Sequence, residues 1–354
     1  MSDRGSGAFA FAGLAAAALG GLALLGRTRE ARASGYVVPP LPRVPSPPIV
    51  PSSEAVGPQP VAVPTGDGQA PAVIIDISPW NRQIDWKAHV AAGPPGLWSG
   101  VMFKVSQGTS FRYAWTGEQR KLFRAAAGDS MGGERFDGGT HYLDLHASGR
   151  LQADFFAKNW DLTGGDKLPG TLWCMLDVER DDQPKEDVTR DRVIHRVGEF
   201  ALRYFEIYGR LPTLYGGEML RALRVGSRMG CGRSAISLYG PRLAIGNQTT
   251  EEFLASMGTD LAHLFLWQYI GGERTPTAPG LPRDVPGSPG PVDISVVTLP
   301  GGKPELRRQL VTKEQPPVVG AIPAYARDGR VALPRAYASY REQRWARSRR
   351  GRRW

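Results

Sequence analysis

Short apolar runs recur along the middle of this sequence, and they limit the fold more strongly than any other feature. There are eight, each rich in Val, Ile, Leu or aromatic residues, as strands covered on both faces are. They cover residues 73–78, 100–108, 139–143, 173–176, 212–216, 235–239, 264–269 and 292–297. Amphipathic helical patterns lie between the earlier runs, at residues 116–127, 152–160, 193–208, 218–224 and 250–257. The alternation predicts an α/β protein with a TIM-like (β/α) barrel of about 230 residues and irregular last strands.

Other sequence features narrow the alternatives to this barrel. An open, doubly wound sheet could be built from the same elements. Its nucleotide-binding form has a Gly-rich phosphate loop after the first strand, and the residues after the first run contain no such loop. The chain has two cysteines, Cys174 and Cys231, which is too few for a zinc ribbon or a disulfide-stabilised scaffold.

Two carboxylates follow the fourth apolar run, at Asp177 and Glu179. In an extended strand, side chains two residues apart leave on the same face, with Cα atoms roughly 6.5 Å apart. Like charges this close push their pKa values apart, so one carboxyl can keep its proton while the other is ionised. Hydrolysis of a glycosidic bond requires such a pair. The simpler interpretation is a solvated strand end.

Further polar and aromatic side chains are predicted at the same edge of the barrel, because the working residues of these barrels lie at the carboxyl ends of strands. The candidates for substrate binding or electrostatic support are Asp76, His141, Tyr215, Trp267, Tyr269 and Asp293. Acids supply chemistry and aromatic faces stack on sugar rings, so this set predicts a carbohydrate site. Simpler interpretations are a core histidine at His141, core aromatic residues at Trp267 and Tyr269, and structural hydrogen bonds at the two aspartates.

An ordered series of motifs points to a known family. The series is DISPWNRQIDW (76–86), FKVSQGT (103–109), GTHY (139–142), QADFF (152–156), LDVE (176–179), PTLYG (212–216), LWQY (266–269) and VDIS (292–295). In this order the motifs resemble glycoside hydrolase family 25, the Chalaropsis-type lysozymes, which include many phage endolysins. The resemblance covers residues 73–297, about two thirds of the chain.

This resemblance implies a barrel that cleaves the β-1,4 bond between N-acetylmuramic acid and N-acetylglucosamine in peptidoglycan. It implies that Glu179 is the general acid. Asp177 would be its partner and would stabilise a cyclic intermediate formed by the 2-acetamido group of the substrate. Asp76 and Asp293 match the two further acids of the family's site. No metal and no cofactor are implied.

The sequence also departs from the family pattern. Thr140 stands where the family usually has a tyrosine, residues 124–137 look inserted or reworked, and the ISLY segment of the sixth run lacks the usual Trp-Ile-Ala. Two alternatives therefore stay open. One is a carbohydrate-binding barrel with weak or no turnover. The other is a metal-dependent hydrolase, since all the candidate side chains except the aromatic ones are oxygen or imidazole ligands, although no H-x-H or H-E-x-x-H pair is present.

The N-terminal part of the chain reads as a targeting region and a linker. Residues 8–26 are uncharged and about long enough to cross a bilayer, and Ala31-Arg32-Ala33 resembles a cleavage site, so residues 1–34 are predicted to be a signal or a membrane anchor. Residues 35–71 are rich in Pro, Val and Ser, which predicts a disordered, extended linker. We therefore expect an exported or membrane-anchored protein of the periplasm, cell envelope or extracellular space.

The C-terminal part of the chain is strongly basic. From residue 303 to 354 there are 14 Lys and Arg against 4 Asp and Glu, whereas residues 72–302 hold 25 basic and 26 acidic residues. The pattern predicts that residues 72–300 form the barrel and that residues 301–354 form a largely disordered tail. Such a tail suits anionic envelope lipids or polymers. Nucleic acid is an unlikely partner, because the barrel is almost neutral and has no basic groove.

Overall fold

The computed structural model describes residues 71–81, 84–92, 97–179, 183, 188–226, 231–239, 242–271, 281–299 and 301–312. The predicted signal or anchor segment lies outside the described residues, as do the linker up to residue 70 and the tail after residue 312. Within the described ranges, no helix combines the length and the apolar character needed to cross a membrane.

Eight strands close into a barrel. The strands of the chain are β1 (Val73–Ile77), β2 (Trp98–Gln107), β3 (Phe111–Arg112), β4 (Phe136–Tyr142), β5 (Met175–Asp177), β6 (Thr213–Gly216), β7 (Arg233–Ser237), β8 (Leu264–Ile270) and β9 (Asp293–Val297). The order around the barrel is β1-β2-β4-β5-β6-β7-β8-β9, with β9 pairing back to β1, while β3 forms a hairpin with the end of β2. The predicted TIM-like barrel is thus confirmed, and the open sheet is not formed.

The last strand runs against the others. β9 is antiparallel to both of its neighbours, β8 and β1, whereas every other neighbouring pair in the closed barrel is parallel. This is the irregularity that the sequence predicted for the last strands. Because of the reversal, the first residue of β9 lies at the same rim as the last residues of the parallel strands.

Helices surround the barrel. They are α1 (Trp86–Ala91), α2 (Thr116–Ala127), α3 (Gly149–Asp161), α4 (Arg190–Tyr208), α5 (Glu218–Leu223), α6 (Thr250–Ser256) and α7 (Gly302–Thr312). The longest, α4, begins where the Thr189 side chain accepts a hydrogen bond from the Arg192 N–H, and ends at Gly209 with φ of 70°. Thr116 is the first residue of α2 and does not cap it, since its hydroxyl donates to the Lys104 carbonyl instead.

Strand side chains alternate between two cores. One lies inside the barrel and includes Ile74, Met102 and Met175, and the other lies between the strands and the helices. In β4, even-numbered residues point inward and odd-numbered residues point to the helices. Gly139 shows how closely the outer layer packs, because an added Cβ there would lie 3.1 Å from the rings of both Phe156 and Trp160. Cys174 and Cys231 are both buried and free.

Helix α7 lies beyond residue 300, where the sequence predicted the barrel to end. Its Leu306 is fully buried in the inner core, where it closes the end of the barrel opposite the carboxylates. Gln309 accepts a hydrogen bond from Arg233, whose guanidinium stacks 3.6 Å from the centre of the Trp173 ring. Residues 302–312 therefore pack against the barrel, since Leu306 covers the end of its inner core.

Candidate active site

Four carboxylates converge at the rim where the parallel strands end. Asp177 is the last residue of β5 and points into the barrel, and Glu179 follows two residues later. Asp76 lies near the end of β1 and is the direct register partner of Asp293, the first residue of β9. The charges of these four acids shift one another's pKa values, as described below. The structure thus brings together all four acids that the sequence selected.

The pKa of Asp177 is raised well above its usual value. Burial is the largest cause, the charge of Glu179 is the next, and Lys104 opposes the rise. Burial also raises the pKa of Asp76 well above its usual value, with Asp293 and Glu179 adding to the effect. The charge of one carboxylate in this group therefore opposes the ionisation of its neighbours.

A lysine inside the barrel faces these acids. The Lys104 Nζ atom lies 3.8 Å from Asp177 Oδ2 and 5.3 Å from the centre of the Tyr142 ring. Burial lowers the pKa of Lys104, but the charges of Asp177, Tyr113, Asp76 and Glu179 outweigh burial, so the pKa of Lys104 is raised overall. The ammonium group is therefore charged at neutral pH.

Three polar side chains form a chain of hydrogen bonds beside the acids. The Tyr215 hydroxyl donates to Gln268 Oε1, and a second hydrogen bond joins the hydroxyl groups of Tyr215 and Tyr239. Burial, followed by the charges of Asp293 and Glu179, raises the pKa of Tyr239 to about 12. Gln268 is buried, and among the described residues its Nε2 atom has no hydrogen-bond partner. The Gln268 side chain thus has an N–H donor that the described residues do not use.

His141 does not join this group. It is fully buried, its Nδ1 is hydrogen-bonded to Ser106 Oγ at 2.9 Å and its Nε2 to Gln152 Oε1 at 3.2 Å, and its ring stacks on Phe200 at 5.1 Å. Burial lowers its pKa to about 4. The sequence predicted His141 at the site, but position 141 points outward in β4, so the imidazole lies in the helix-facing core and apart from the acids.

Trp267 and Tyr269 also point away from the acids. Both lie in the core between strands and helices. The Trp267 Nε1–H donates to the Leu238 carbonyl at 2.9 Å, and the Tyr269 hydroxyl donates to the Pro282 carbonyl at 2.7 Å. The residue between them, Gln268, has the opposite direction in β8 and is hydrogen-bonded to Tyr215 inside the barrel.

Sequence reasoning thus missed Lys104, Gln268 and Tyr239. The sequence pattern could have identified Lys104, because a single charged residue inside an apolar run must either reach solvent or meet an opposite charge. Gln268 had a weaker signal, as a polar residue between two aromatic residues. Tyr239 gave no signal beyond its position at the end of a strand.

The described residues can be compared with the metal-dependent alternative. Within the described residues, no group of three or more His, Cys, Asp or Glu is placed to hold a metal ion. His141, which the metal-dependent alternative needs as a ligand, faces the helices. Asp177 Oδ1 is buried and makes no hydrogen bond to the described residues. This oxygen can therefore accept a hydrogen bond from a bound substrate.

Solved structures similar to this barrel are lysozymes and muramidases. The lysozyme from Streptomyces coelicolor has 18% sequence identity and a TM-score of 0.51, with 70% of this chain and 100% of that chain covered. The chain shares the fold of this lysozyme. The muramidase from Trichobolus zukalii has 19% identity and a TM-score of 0.48, covering 69% of this chain and all of that one. The family GH25 lysozyme from Aspergillus fumigatus has 19% identity and a TM-score of 0.47, covering 67% and 97%.

The resemblance to lysozymes that the motif series predicted is confirmed at the level of the fold. No protein-family model matches the sequence, and no curated protein matches it significantly. The likeness to these solved structures is therefore one of fold, at 18% sequence identity to the Streptomyces coelicolor lysozyme.

Proposed function

We propose that this protein is a peptidoglycan hydrolase, an N-acetylmuramidase that cleaves the β-1,4 bond between N-acetylmuramic acid and N-acetylglucosamine. One observation carries the proposal: Asp177 and Glu179 stand at the end of β5 in a family 25 lysozyme fold, flanked by Asp76 and Asp293. Two neighbouring carboxyl groups that share a proton are the minimum needed to break a glycosidic bond.

The proposed mechanism gives the two central acids different roles. Glu179 donates its proton to the leaving oxygen, which becomes the new hydroxyl of the departing sugar. In its ionised form, Asp177 stabilises the positive charge that develops when the 2-acetamido oxygen of the substrate attacks the anomeric carbon. Water then opens the cyclic intermediate, and the Glu179 carboxylate accepts a proton from that water. The free Oδ1 of Asp177 supports this assignment, since it can accept the acetamido N–H.

The other side chains support substrate binding in this proposal. Asp76 and Asp293 add negative potential around the cationic centre. Gln268, held by Tyr215, offers an amide donor that suits the carbonyl groups of N-acetylated sugars. A site of this composition favours a neutral, amide-bearing polysaccharide over a polyanion.

Mass spectrometry of the muropeptides released from purified peptidoglycan tests the proposal. A muramidase leaves N-acetylmuramic acid at the new reducing end, and a glucosaminidase leaves N-acetylglucosamine. We expect the first product, with activity unchanged by EDTA. New N-acetylglucosamine ends or loss of activity in EDTA would contradict the assignment.

A carbohydrate-binding barrel without turnover is the second candidate, and Thr140 favours it. Thr140 points into the barrel where the family pattern has a tyrosine, and its hydroxyl is buried without a hydrogen-bond partner among the described residues. Sedimentation with insoluble peptidoglycan, without release of new reducing ends, would select this function.

In either case we propose that the protein acts at the cell envelope or outside the cell. Contacts of residues 8–26 with a membrane and of the basic tail with anionic polymers are part of the same proposal.

A further inference from the structure

Two of the aromatic side chains at the rim that carries the acids are partly exposed. Phe111, in β3, is 55% exposed, and Tyr239, two residues after β7, is 44% exposed. Aromatic area left in water forgoes the free energy that its burial provides, and a bound ligand can recover it. Trp267 and Tyr269, which the sequence predicted for sugar binding, lie in the helix-facing core. Any stacking surface for sugars at the rim therefore comes from other residues.

Phe111 lies on the face of its hairpin that continues the inside of the barrel. Its register partner across the hairpin is Gln107, which is also the register partner of Tyr142 in β4. Tyr142 points inward, where its ring lies beside the Lys104 ammonium group. Register partners in neighbouring strands share a face of the sheet. Phe111 therefore points to the mouth of the barrel.

Tyr113 fixes the position of the Phe111 ring. The two rings meet edge to face, with centroids 4.9 Å apart. The Tyr113 hydroxyl lies 3.5 Å from Gln107 Oε1, and the charge of an ionised Tyr113 raises the pKa of Lys104, so Tyr113 lies on the same side of the hairpin as the acids. An aromatic ring that is already fixed loses little conformational entropy when a ligand covers it.

Tyr239 is fixed as well. Its hydroxyl is hydrogen-bonded to that of Tyr215, the register partner of Asp177. Its ring lies against Gly271, just after β8, where an added Cβ would collide with the ring. Part of the Tyr239 ring is thus packed, and the rest of it is open to solvent beside the acids.

The order of the strands places these two aromatic side chains across the mouth from each other. β2, which carries the hairpin, and β7 are four strands apart in either direction around the eight-stranded barrel. A line between them leaves β5, with Asp177 and Glu179, on one side. It leaves β1 and β9, with Asp76 and Asp293, on the other side. A chain-like ligand on this line would pass between the two groups of acids.

We propose that the glycan strand crosses the mouth of the barrel from the β2–β3 hairpin to the end of β7, with one sugar stacked on Phe111 and another packed against Tyr239. The proposal rests on the proposed function and names the residues that hold the polymer on each side of the bond to be cut. The C–H face of a pyranose ring is apolar and suits an aromatic ring. The protein therefore binds long strands more tightly than disaccharides.

Trp80 offers a competing surface. It is almost fully exposed on a short turn after β1, and hydrogen bonds of the Asn81 side chain fix this turn. The strand opposite β1 is β6, whose aromatic residue, Tyr215, is buried. The path from Phe111 is favoured because it meets the exposed ring of Tyr239 on the opposite wall.

Binding of glycan fragments without stem peptides tests the path without turnover. Fragments of two, four and eight sugars from purified peptidoglycan would be titrated by calorimetry into full-length Glu179→Gln, in which affinity should rise with length. Phe111→Ala and Tyr239→Ala should each weaken octasaccharide binding by about 3- to 10-fold, and disaccharide binding by less. Because the two residues lie on opposite walls, the double variant should show the product of the two losses.

Conservative and matched variants separate stacking from other effects. Phe111→Trp and Tyr239→Phe keep a ring and should retain the dependence on length. Phe111→Leu keeps apolar area without a ring and should lose affinity for the octasaccharide. If Tyr239→Ala does not fold, Tyr239→Leu removes the ring with a smaller loss of packing. Leu151→Ala, at an exposed position on α3, is the control and should leave every affinity unchanged.

The inference and the proposed function fail in different ways. Affinity that does not depend on length, octasaccharide binding that both alanine variants retain, or a length dependence that Trp80→Ala alone removes would overturn the inference. A protein that binds octasaccharides through Phe111 and Tyr239, but whose wild type releases no N-acetylmuramic acid ends, would overturn the proposed hydrolysis and leave the path established.

Discussion

Asp76 and Asp293 are direct register partners across the antiparallel pair of β1 and β9. Like charges opposite each other in a sheet are destabilising. Here the pair is also near Asp177 and Glu179, and the pKa of Asp76 is raised by burial and by these neighbours. The barrel thus places like charges side by side at its rim, and their repulsion should lower the free energy of unfolding.

Removing one of these charges should stabilise the protein at neutral pH. An acid whose folded-state pKa is raised contributes stability at low pH, and that stability is lost as the pH rises through the folded pKa. Asp76→Asn should therefore raise the Tm at pH 7, where a gain of about 1 kcal/mol corresponds to roughly 2–4 °C. The gain should disappear below pH 4, as calorimetry at both pH values would show. Asp129→Asn, at an exposed position, is the control; a destabilising, pH-independent effect of Asp76→Asn would contradict the prediction.

The two central acids should respond differently to an activated substrate. Glu179→Gln removes the transferable proton, which is typically worth about 10² to 10⁴ in rate. Asp177→Asn removes the charge that supports the developing cation, at a cost of about 10² to 10³. On an aryl glycoside, whose leaving group needs little protonation, Glu179→Gln should recover most of its rate and Asp177→Asn should not. Recovery of Asp177→Asn alone would reverse the roles, and full activity of both variants would remove these acids from the mechanism.

Truncation should separate the barrel from the basic tail at residue 312. Ending the chain there removes 11 Lys and Arg and 3 Asp and Glu. Cooperative unfolding and hydrolysis of soluble fragments should remain. Binding to anionic vesicles should weaken and lose its salt dependence, since exposed charges are screened within about 10 Å at 0.1 M salt.

Ending the chain at residue 300 should instead damage the barrel, because Leu306 would be lost from the inner core. In the full chain, Leu306→Ala should lower the free energy of unfolding by about 2–5 kcal/mol. Val311→Ala is the matched control, as Val311 is 74% exposed on the same helix. Equal stability of both variants in urea would show that α7 does not contribute to the core.

Two buried histidines should make the fold sensitive to mild acid. Burial lowers the pKa values of His89 and His141 to about 4 from 6.5. An unfolded chain then binds protons that the folded chain does not, so stability falls as the pH drops from 6.5 to 4, by at most about 3 kcal/mol for each histidine. Urea unfolding between pH 7 and 4.5 should show a smaller pH dependence in His141→Gln than in the wild type. The exposed His146→Gln should match the wild type, and an unchanged slope in His141→Gln would contradict the prediction.

The sequence alone determined the elements of the barrel and the pairing of its central acids. Each of the eight predicted apolar runs coincides with a barrel strand, because short β-rich runs bounded by turns have few other stable conformations. Asp177 and Glu179 were predicted as a pair from their spacing alone, since a period of two is a property of any extended chain. Asp76 and Asp293 were selected for a different reason, because each is a carboxylate in a predicted apolar strand at the same edge of the barrel.

Only the tertiary structure decided which face of each strand is the inside of the barrel. Both faces of a barrel strand are buried, so the sequence shows which residues share a face but not where that face points. This is why His141, Trp267 and Tyr269 were assigned to the site and lie in the helix-facing core, whereas Lys104 and Gln268 reach the acids. The reversal of β9, which brings Asp293 to the rim, and the use of α7 to cover the other end of the barrel depend on closure of the sheet. Closure is set by contacts between residues far apart in the chain, and no local pattern of the sequence encodes them.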